Sequence, residues 1–410
     1  MTIGFVGLDH LGVVSSITTA MNGEQIIAYD SRIEIIDSLN RNLIPFYEPG
    51  LQDLLLEHSS NIKFTNEPYE LKKCNLVFIS ADMNNGIKQI EELITIVKQN
   101  ISHNQILIVM SQVPPGFTRS INHPHDVLFY QAEVLIIGNS IEKSLFPDQV
   151  IIGCNYPNIN LPKSYSDYIQ KFNCDVAMIK YESAEMAKIS INMMLAAQVS
   201  MTNTIAELCE KTESDWSEIK SVCEYDSRIG SYLTPGLGLS GGHIERDLNT
   251  LRVLCEKYNT DNSLIETIKW YNIEQKSWVN RILYNNHFLD NNPLIAIWGL
   301  SYKSGTDSIK HSPSIFTINY ITKFLKKVYD PQVIYKEEDN LTQQDSADLA
   351  CLNSDILLIL TPHPEFFNYS LKALKANMNG NVIIDPYGVF NKQKAIEHGF
   401  VHYQLGVKNI

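Results

Sequence analysis

Short apolar runs alternate with amphipathic stretches along the first third of the chain. TIGFVG (2–7), QIIAYD (25–30), NLVFIS (75–80), QILIVMS (105–111) and DVLF (126–129) read as strands, and the segments between the first four are compatible with helices. Continuous rather than alternating apolar strands, interleaved with helices, predict a parallel sheet whose ligands lie beyond the carboxyl ends of the strands. The same rhythm returns in PLIAIWGL, KVYDPQVI, DILLILTP and NVIIDPYG. It predicts a second, smaller doubly wound unit.

Between these blocks the pattern changes. Lys163 to Ile229 contains neither Gly nor Pro, and Tyr181–Lys211 is dominated by Ala, Met, Leu, Glu and Gln, so one long helix is expected there. Polar residues interrupt its apolar stripe on several sides, as in a helix with partners on more than one side. Lys188 and Asn192 are four residues apart and project from one face, where they could reach the same small molecule. A snorkelling lysine and a tolerated asparagine would also give that spacing. The fold class expected is α/β, with two Rossmann-like doubly wound parallel-sheet domains joined by a central helical region. The expected domains are residues 1–180, 181–285 and 286–410.

Composition narrows the function classes. The chain of 410 residues is 44% hydrophobic and 19% charged, with a formal net charge of -13. That balance is ordinary for a globular protein with several cores, and it argues against a nucleic-acid or anionic-membrane partner. No apolar run approaches the roughly 20 residues of a membrane span, and MTIGFVGLDH reads as strand and turn rather than an export signal, so a cytoplasmic protein is expected. The seven cysteines are scattered and never form CxxC, which fits reduced thiols and no metal site.

Candidate chemistry begins at the first turn. Gly7 and Gly12 bracket the turn between the first strand and helix, and Asp30 ends the second strand near the spacing of a ribose-binding carboxylate. Asp30 favours NAD; Arg32, just beyond it, leaves room for a 2'-phosphate partner. The middle position of this GxGxxG-like pattern is Asp9, which adds bulk and like charge where a diphosphate is expected. Ser111 opens SQVPPGF at the end of a further strand, and Glu133 is the only carboxylate of YQAEVLIIG. In TPGLGLSGGHIERDLNTL, glycines including Gly238 and Gly241 expose backbone N–H groups able to wrap a phosphate or a sugar, with a helix expected to start at Asp247 and Leu248.

Taken in order, these segments resemble the UDP-glucose and GDP-mannose dehydrogenases, including the UDP-N-acetylmannosamine dehydrogenases. GLDHLG stands where that family reads GxGYVGL, FYEPGLQDLL where it reads PxYEPGLxxLL, and SQVPPG where it reads STVPxG. AEMAKISINMMLA, DSRIG, LSGGHIERD, GLSYKSGTDSIKHSP and YDP follow in family order and spacing. The resemblance implies oxidation of a sugar's carbon six from alcohol to acid with two NAD, through a thioester on a cysteine. It implies that Lys188 and Asn192 stabilise the oxyanion and that Asp247 orients water with them. By the same correspondence Glu133 is the first glutamate of NPEFLREG, while Arg228 reaches the nucleotide sugar across a homodimer interface. Lys303 belongs to the substrate-side FKxxTDD turn.

The departures bear on mechanism. The nucleophilic cysteine of GGSC is replaced by His243, Ile137 stands for the second glutamate, Gln112 for the threonine of STVP and Arg246 for the lysine of PKD. DPYG (385–388) stands for the family's DGRN turn. Without a thiolate the usual second oxidation fails. Three readings stay open: oxidation stopping at the aldehyde with His243 or Glu133 as base, a nucleotide-sugar-binding homologue without turnover, and an epimerase-like rearrangement with retained NAD.

Overall fold

The structure, a computed structural model, describes residues 1–410 apart from 84–85, 134, 227–228, 230–233, 336–338, 409–410 and the side chain of residue 243. The chain forms two compact units, Met1–Ile191 and Asn192–Ile410.

The first unit is built on an eight-stranded sheet of order β3-β2-β1-β4-β5-β6-β7-β8. Its strands are β1 (Thr2–Val6), β2 (Gln25–Tyr29), β3 (Ile62–Thr65), β4 (Leu76–Ile79), β5 (Ile106–Val109), β6 (Leu128–Ala132), β7 (Gln149–Cys154) and β8 (Asp175–Lys180). The chain winds outward from β1 to β3 and then resumes on the other side at β4, so the gap between β1 and β4 is the switch point at which such sheets bind ligands. One pair departs from the parallel expectation: β6 and β7 run antiparallel. Their connection carries the six-residue helix Ser140–Leu145. Each face buries an apolar layer. Ile3 and Phe5 pack with Val13, Val14 and Ile17 of the first helix, His10–Met21, on one side. Val6 and Ile79 pack with Ile90, Leu93 and Val97 on the other. Each such side chain contributes roughly 1.5–3 kcal/mol on burial.

The Gly- and Pro-free run is more divided than its composition predicts. It holds the helix Lys163–Gln170, then Asn173 at φ +49, then β8, the central helix Tyr181–Cys209 and the helix Trp216–Cys223. Asparagine adopts left-handed backbone more readily than most residues, so the chain turns there without a glycine.

The second unit holds the remainder of the central helix, the helices Gly242–Tyr258, Ser263–Lys276 and Trp278–Asn285, and a second sheet. This sheet contains β9 (Ile295–Trp298), β10 (Lys326–Tyr329), β11 (Leu341–Gln343), β12 (Ile356–Ile359), β13 (Val382–Ile384) and β14 (Val401–Tyr403). Its order is β11-β10-β9-β12-β13-β14, parallel throughout. The first turn of each sheet is built alike. Gly7 and Gly299 lie at φ +91 and +89. The next N–H, of Leu8 or Leu300, donates at 2.7 Å to an aspartate ending the neighbouring strand, Asp30 or Asp330. The helix expected to begin at Asp247 begins five residues earlier, at Gly242. Gly241, at φ +79, ends the loop, and Glu245 in the first turn suits the positive helix end. His243 and Asp247 therefore stand one turn apart on the same helix.

Candidate active site

At the carboxyl ends of β1, β2 and β4 the sequence builds a dinucleotide turn. A Cβ at position 12 would lie 1.9 Å from the Gly7 carbonyl oxygen, so only glycine lets the first helix approach the strand this closely. Asp30 is almost fully buried. Burial alone would raise its pKa, but hydrogen bonds from Arg32 and the Leu8 N–H hold it below the ordinary value. The Arg32 Nε donates to Asp30 Oδ1 at 2.9 Å and its NH2 group to Oδ2 at 2.7 Å. The same NH2 group reaches Asp9 Oδ1 at 2.9 Å, and the Asp82 N–H donates to Asp9 Oδ2 at 3.0 Å. The close helix approach, the helix N-terminus and the strand-end carboxylate all fit a dinucleotide; Asp9 is the one discordant residue.

Three further residues place the loops around this turn. Glu48 accepts from the N–H groups of Gly138 (3.0 Å) and Ser140 (2.9 Å) and from His10 Nε2 (2.9 Å), fastening the 138–140 loop to the first helix. Burial would raise the Glu48 pKa, yet these donors keep it lowered. Glu185, fully buried on the central helix, accepts from the N–H groups of Gly116 (2.6 Å) and Thr118 (2.7 Å), and burial pushes its pKa up. It anchors the VPPGF segment to the helix bearing Lys188. Ser111 is buried, with its hydroxyl given to the Ala81 carbonyl at 2.6 Å, which places it behind the crevice as a brace between strand ends. Glu133 immediately follows β6 and lines a small cavity with Lys143, Ser144, Pro147 and Phe172.

In the second unit a polar cluster centres on Asp247, which has no solvent exposure. The Asn192 Nδ2 donates to Asp247 Oδ2 at 2.5 Å, and Arg246 Nε approaches Oδ1 at 3.3 Å. Lys188 stands one helical turn before Asn192 and is partly buried. The structure thus brings together two residues separated by 55 positions in the chain, which spacing alone cannot reveal.

The glycine loop is braced from within. The Gly236 N–H donates to Asn203 Oδ1 (2.9 Å), the Leu239 N–H to Asn272 Oδ1 (2.5 Å) and the Gly241 N–H to the Lys310 carbonyl (3.2 Å). Those three N–H groups hold the loop's shape. Gly238 lies at φ +78, where a Cβ would meet Asn272 Oδ1 at 2.5 Å. The Ser240 hydroxyl donates to the Tyr302 carbonyl at 3.3 Å, and Lys303 Nζ lies 5.8 Å from the Tyr302 ring centroid. Loop and Lys303 turn are therefore neighbours. Arg228 lies outside the described residues, as does the side chain of His243, whose backbone forms the first turn of the helix Gly242–Tyr258. Glu48, Asn203 and Asn272 escaped notice as positioning residues. Glu48 sits inside YEPGL, where its spacing gives no sign of a partner at position 138 or 140.

Two largely parallel sheets with dinucleotide turns, and a Lys–Asn helix whose asparagine meets a buried aspartate, define a nucleotide-linked oxidoreductase. The chain belongs to the UDP-glucose/GDP-mannose dehydrogenase family. Its NAD-binding domain matches residues 1–166, its central domain residues 182–274 and its UDP-binding domain residues 296–392. The chain is 27% identical over 440 residues to the UDP-glucose 6-dehydrogenase of Rickettsia conorii, covering 100% of both. It is 27% identical over 414 residues to a putative UDP-glucose 6-dehydrogenase, YtcA, of Bacillus subtilis, covering 96% of both. Among solved structures, the UDP-D-ManNAc dehydrogenase of Pyrococcus horikoshii superposes with a TM-score of 0.85 at 23% identity, over 100% of both chains. A UDP-glucose dehydrogenase from Pyrobaculum islandicum gives 0.85 at 20% identity, over 99% of this chain and 98% of the other. The protein is an NAD-dependent oxidoreductase acting on the CH–OH group of a nucleotide sugar. No helix among the described residues is long and apolar enough to cross a membrane.

Proposed function

We propose that the protein oxidises the carbon-six alcohol of a UDP- or GDP-linked sugar, UDP-glucose being the first candidate, and releases the aldehyde. The observation that carries this reading is the buried Asn192–Asp247 contact on a helix whose first turn bears histidine at position 243. NAD supplies the hydride acceptor. Asp30 and the Gly7–Gly12 turn would hold it, with Ser111 supporting the neighbouring strand ends. Lys188 and the Asn192 amide stabilise the negative charge developing on the sugar oxygen. Glu133 or His243 takes the hydroxyl proton. Asp247, fixed on both oxygens, orients the Asn192 amide and a water molecule. Imidazole in place of a thiolate forms no thiohemiacetal, so the second hydride is not released. Gly238, Gly241, Lys303 and Arg228 are proposed to hold the nucleotide sugar, within functional segments 1–180, 181–285 and 286–410. The unpaired cysteines fit a reducing compartment, so the cytoplasm is the proposed location.

A homodimer is part of the proposal. Met194, Met201, Ile205 and Leu208 are exposed on the central helix at spacings of seven, four and three, a coiled-coil-like seam that a second copy would cover.

Incubating the protein with UDP- and GDP-sugars and NAD, while following reduced cofactor and trapping carbonyls, tests the reaction. One NADH per sugar with a trappable aldehyde is expected, and His243→Cys should add acid product. Two NADH with an acid from the unaltered protein would contradict the role given to His243. A changed sugar with no net NADH would mean rearrangement, and sugar binding without any conversion a non-catalytic homologue.

A further inference from the structure

The cofactor turn contains a device that its sequence pattern does not explain. Asp9 stands where the dinucleotide fingerprint places its middle glycine, at the N-cap of the first helix, yet its side chain makes no capping bond to that helix. It turns instead to the Asp82 N–H beyond β4 and to Arg32 beyond β2. Arg32 also grips both oxygens of Asp30. One guanidinium therefore ties two carboxylates across the carboxyl ends of β1, β2 and β4, where a dinucleotide lays its ribose and diphosphate.

We propose that Arg32 is a specificity-determining residue of the cofactor site: it is the counter-ion that lets Asp9 stand at the diphosphate turn, and NAD binds by taking Asp9's place on its NH2 group. A diphosphate oxygen and the Asp9 carboxylate compete for the same donor, because both are anionic acceptors suited to a guanidinium. Asp9 stays held by the Asp82 N–H when displaced. The side chains of Arg32 and Asp9 are 30% and 16% exposed, so the contact is open enough to exchange and sheltered enough for charge to matter. The clasp closes the crevice in the free protein and sets the affinity for the cofactor.

Calorimetric titration of NAD, without sugar, into the full-length protein and into D9G, R32A and D9G/R32A tests this apart from turnover. D9G should tighten NAD binding by about tenfold or more, since a like charge leaves and the guanidinium is released. R32A should weaken it by about tenfold or more while Asp9 is present, where the diphosphate contact and the counter-ion of Asp9 are lost together, and by a clearly smaller factor in the D9G background, where the contact alone is lost. A D9G variant that binds no tighter, or an R32A loss of equal size in both backgrounds, overturns the proposal. So does an R32A variant that loses NADP binding while keeping NAD binding, which would make Arg32 a 2'-phosphate ligand. Retained thermal unfolding midpoints show that the variants fold. If neither the unaltered protein nor D9G binds NAD, the clasp is not what limits the site, and the proposal fails independently of the sugar reaction.

Discussion

The Asn192–Asp247 contact sets what the proposed site can do. Asp247 is buried, and a buried carboxylate that loses a donor is costly, about 1–3 kcal/mol. Asn192→Ala is therefore expected to lower the unfolding free energy by that amount. It should also reduce kcat by about a hundredfold, because an oxyanion donor of this kind is typically worth that much, with little change in nucleotide-sugar KM. A thermal melt and steady-state kinetics on one preparation check both. Asn192→Asp should do worse, since two carboxylates at this separation cannot both ionise. Lys188 and Asn192 were legible because helical spacing is local, and Asp9 was legible as an anomaly. The clasp was not: it depends on a side chain at position 32 reaching a residue 23 positions earlier, which no periodicity encodes.

Elements were read best where one period dominates. β1, β2, β4, β5 and β6 of the first sheet, β9, β10, β12 and β13 of the second, and the central helix follow from continuous apolar runs and from a helix-forming composition, whereas β3, β7, β11 and β14 were not foreseen. β8 was missed because DVAMIK lies within a Gly- and Pro-free run and passes into the central helix without a loop. The early start of the Gly242 helix was hidden because two successive glycines read as loop, although only Gly241 has positive φ. The exposed face of the central helix yields a prediction at this scale. Placing a charge at the seam, as in Met201→Glu with Ile205→Glu, should convert the proposed dimer to a monomer in light scattering coupled to size-exclusion chromatography. Unchanged mass would remove the central helix from the interface.

Across the second unit, Glu210 joins the end of the central helix to Trp278 and to the C-terminal segment. It accepts from Trp278 Nε1 at 3.0 Å and from the Gly406 N–H at 3.3 Å. Burial pushes its pKa up to about 7, with Glu207 adding to the rise and the two hydrogen bonds and Lys211 opposing it. A carboxyl whose folded pKa exceeds its unfolded value binds a proton preferentially in the folded state. Its stabilisation is complete below the unfolded value, about 4.3, and is lost as pH rises through about 7. The unfolding free energy should therefore fall by on the order of 2 kcal/mol between pH 5 and pH 8 from this group. Glu210→Gln should flatten that part of the profile in denaturant titrations at a series of pH values. An identical slope in the variant would show that the loss arises elsewhere. Sequence reading could not find this tie, because Glu210 and Gly406 are 196 positions apart.

Carbon NMR on UDP-glucose labelled at carbon six, incubated with NAD and the unaltered protein, tests the missing thiol most directly. The account predicts that the label moves from alcohol to aldehyde hydrate and stops there. A carboxylate resonance growing from the unaltered protein, with two NADH formed for each, would contradict it.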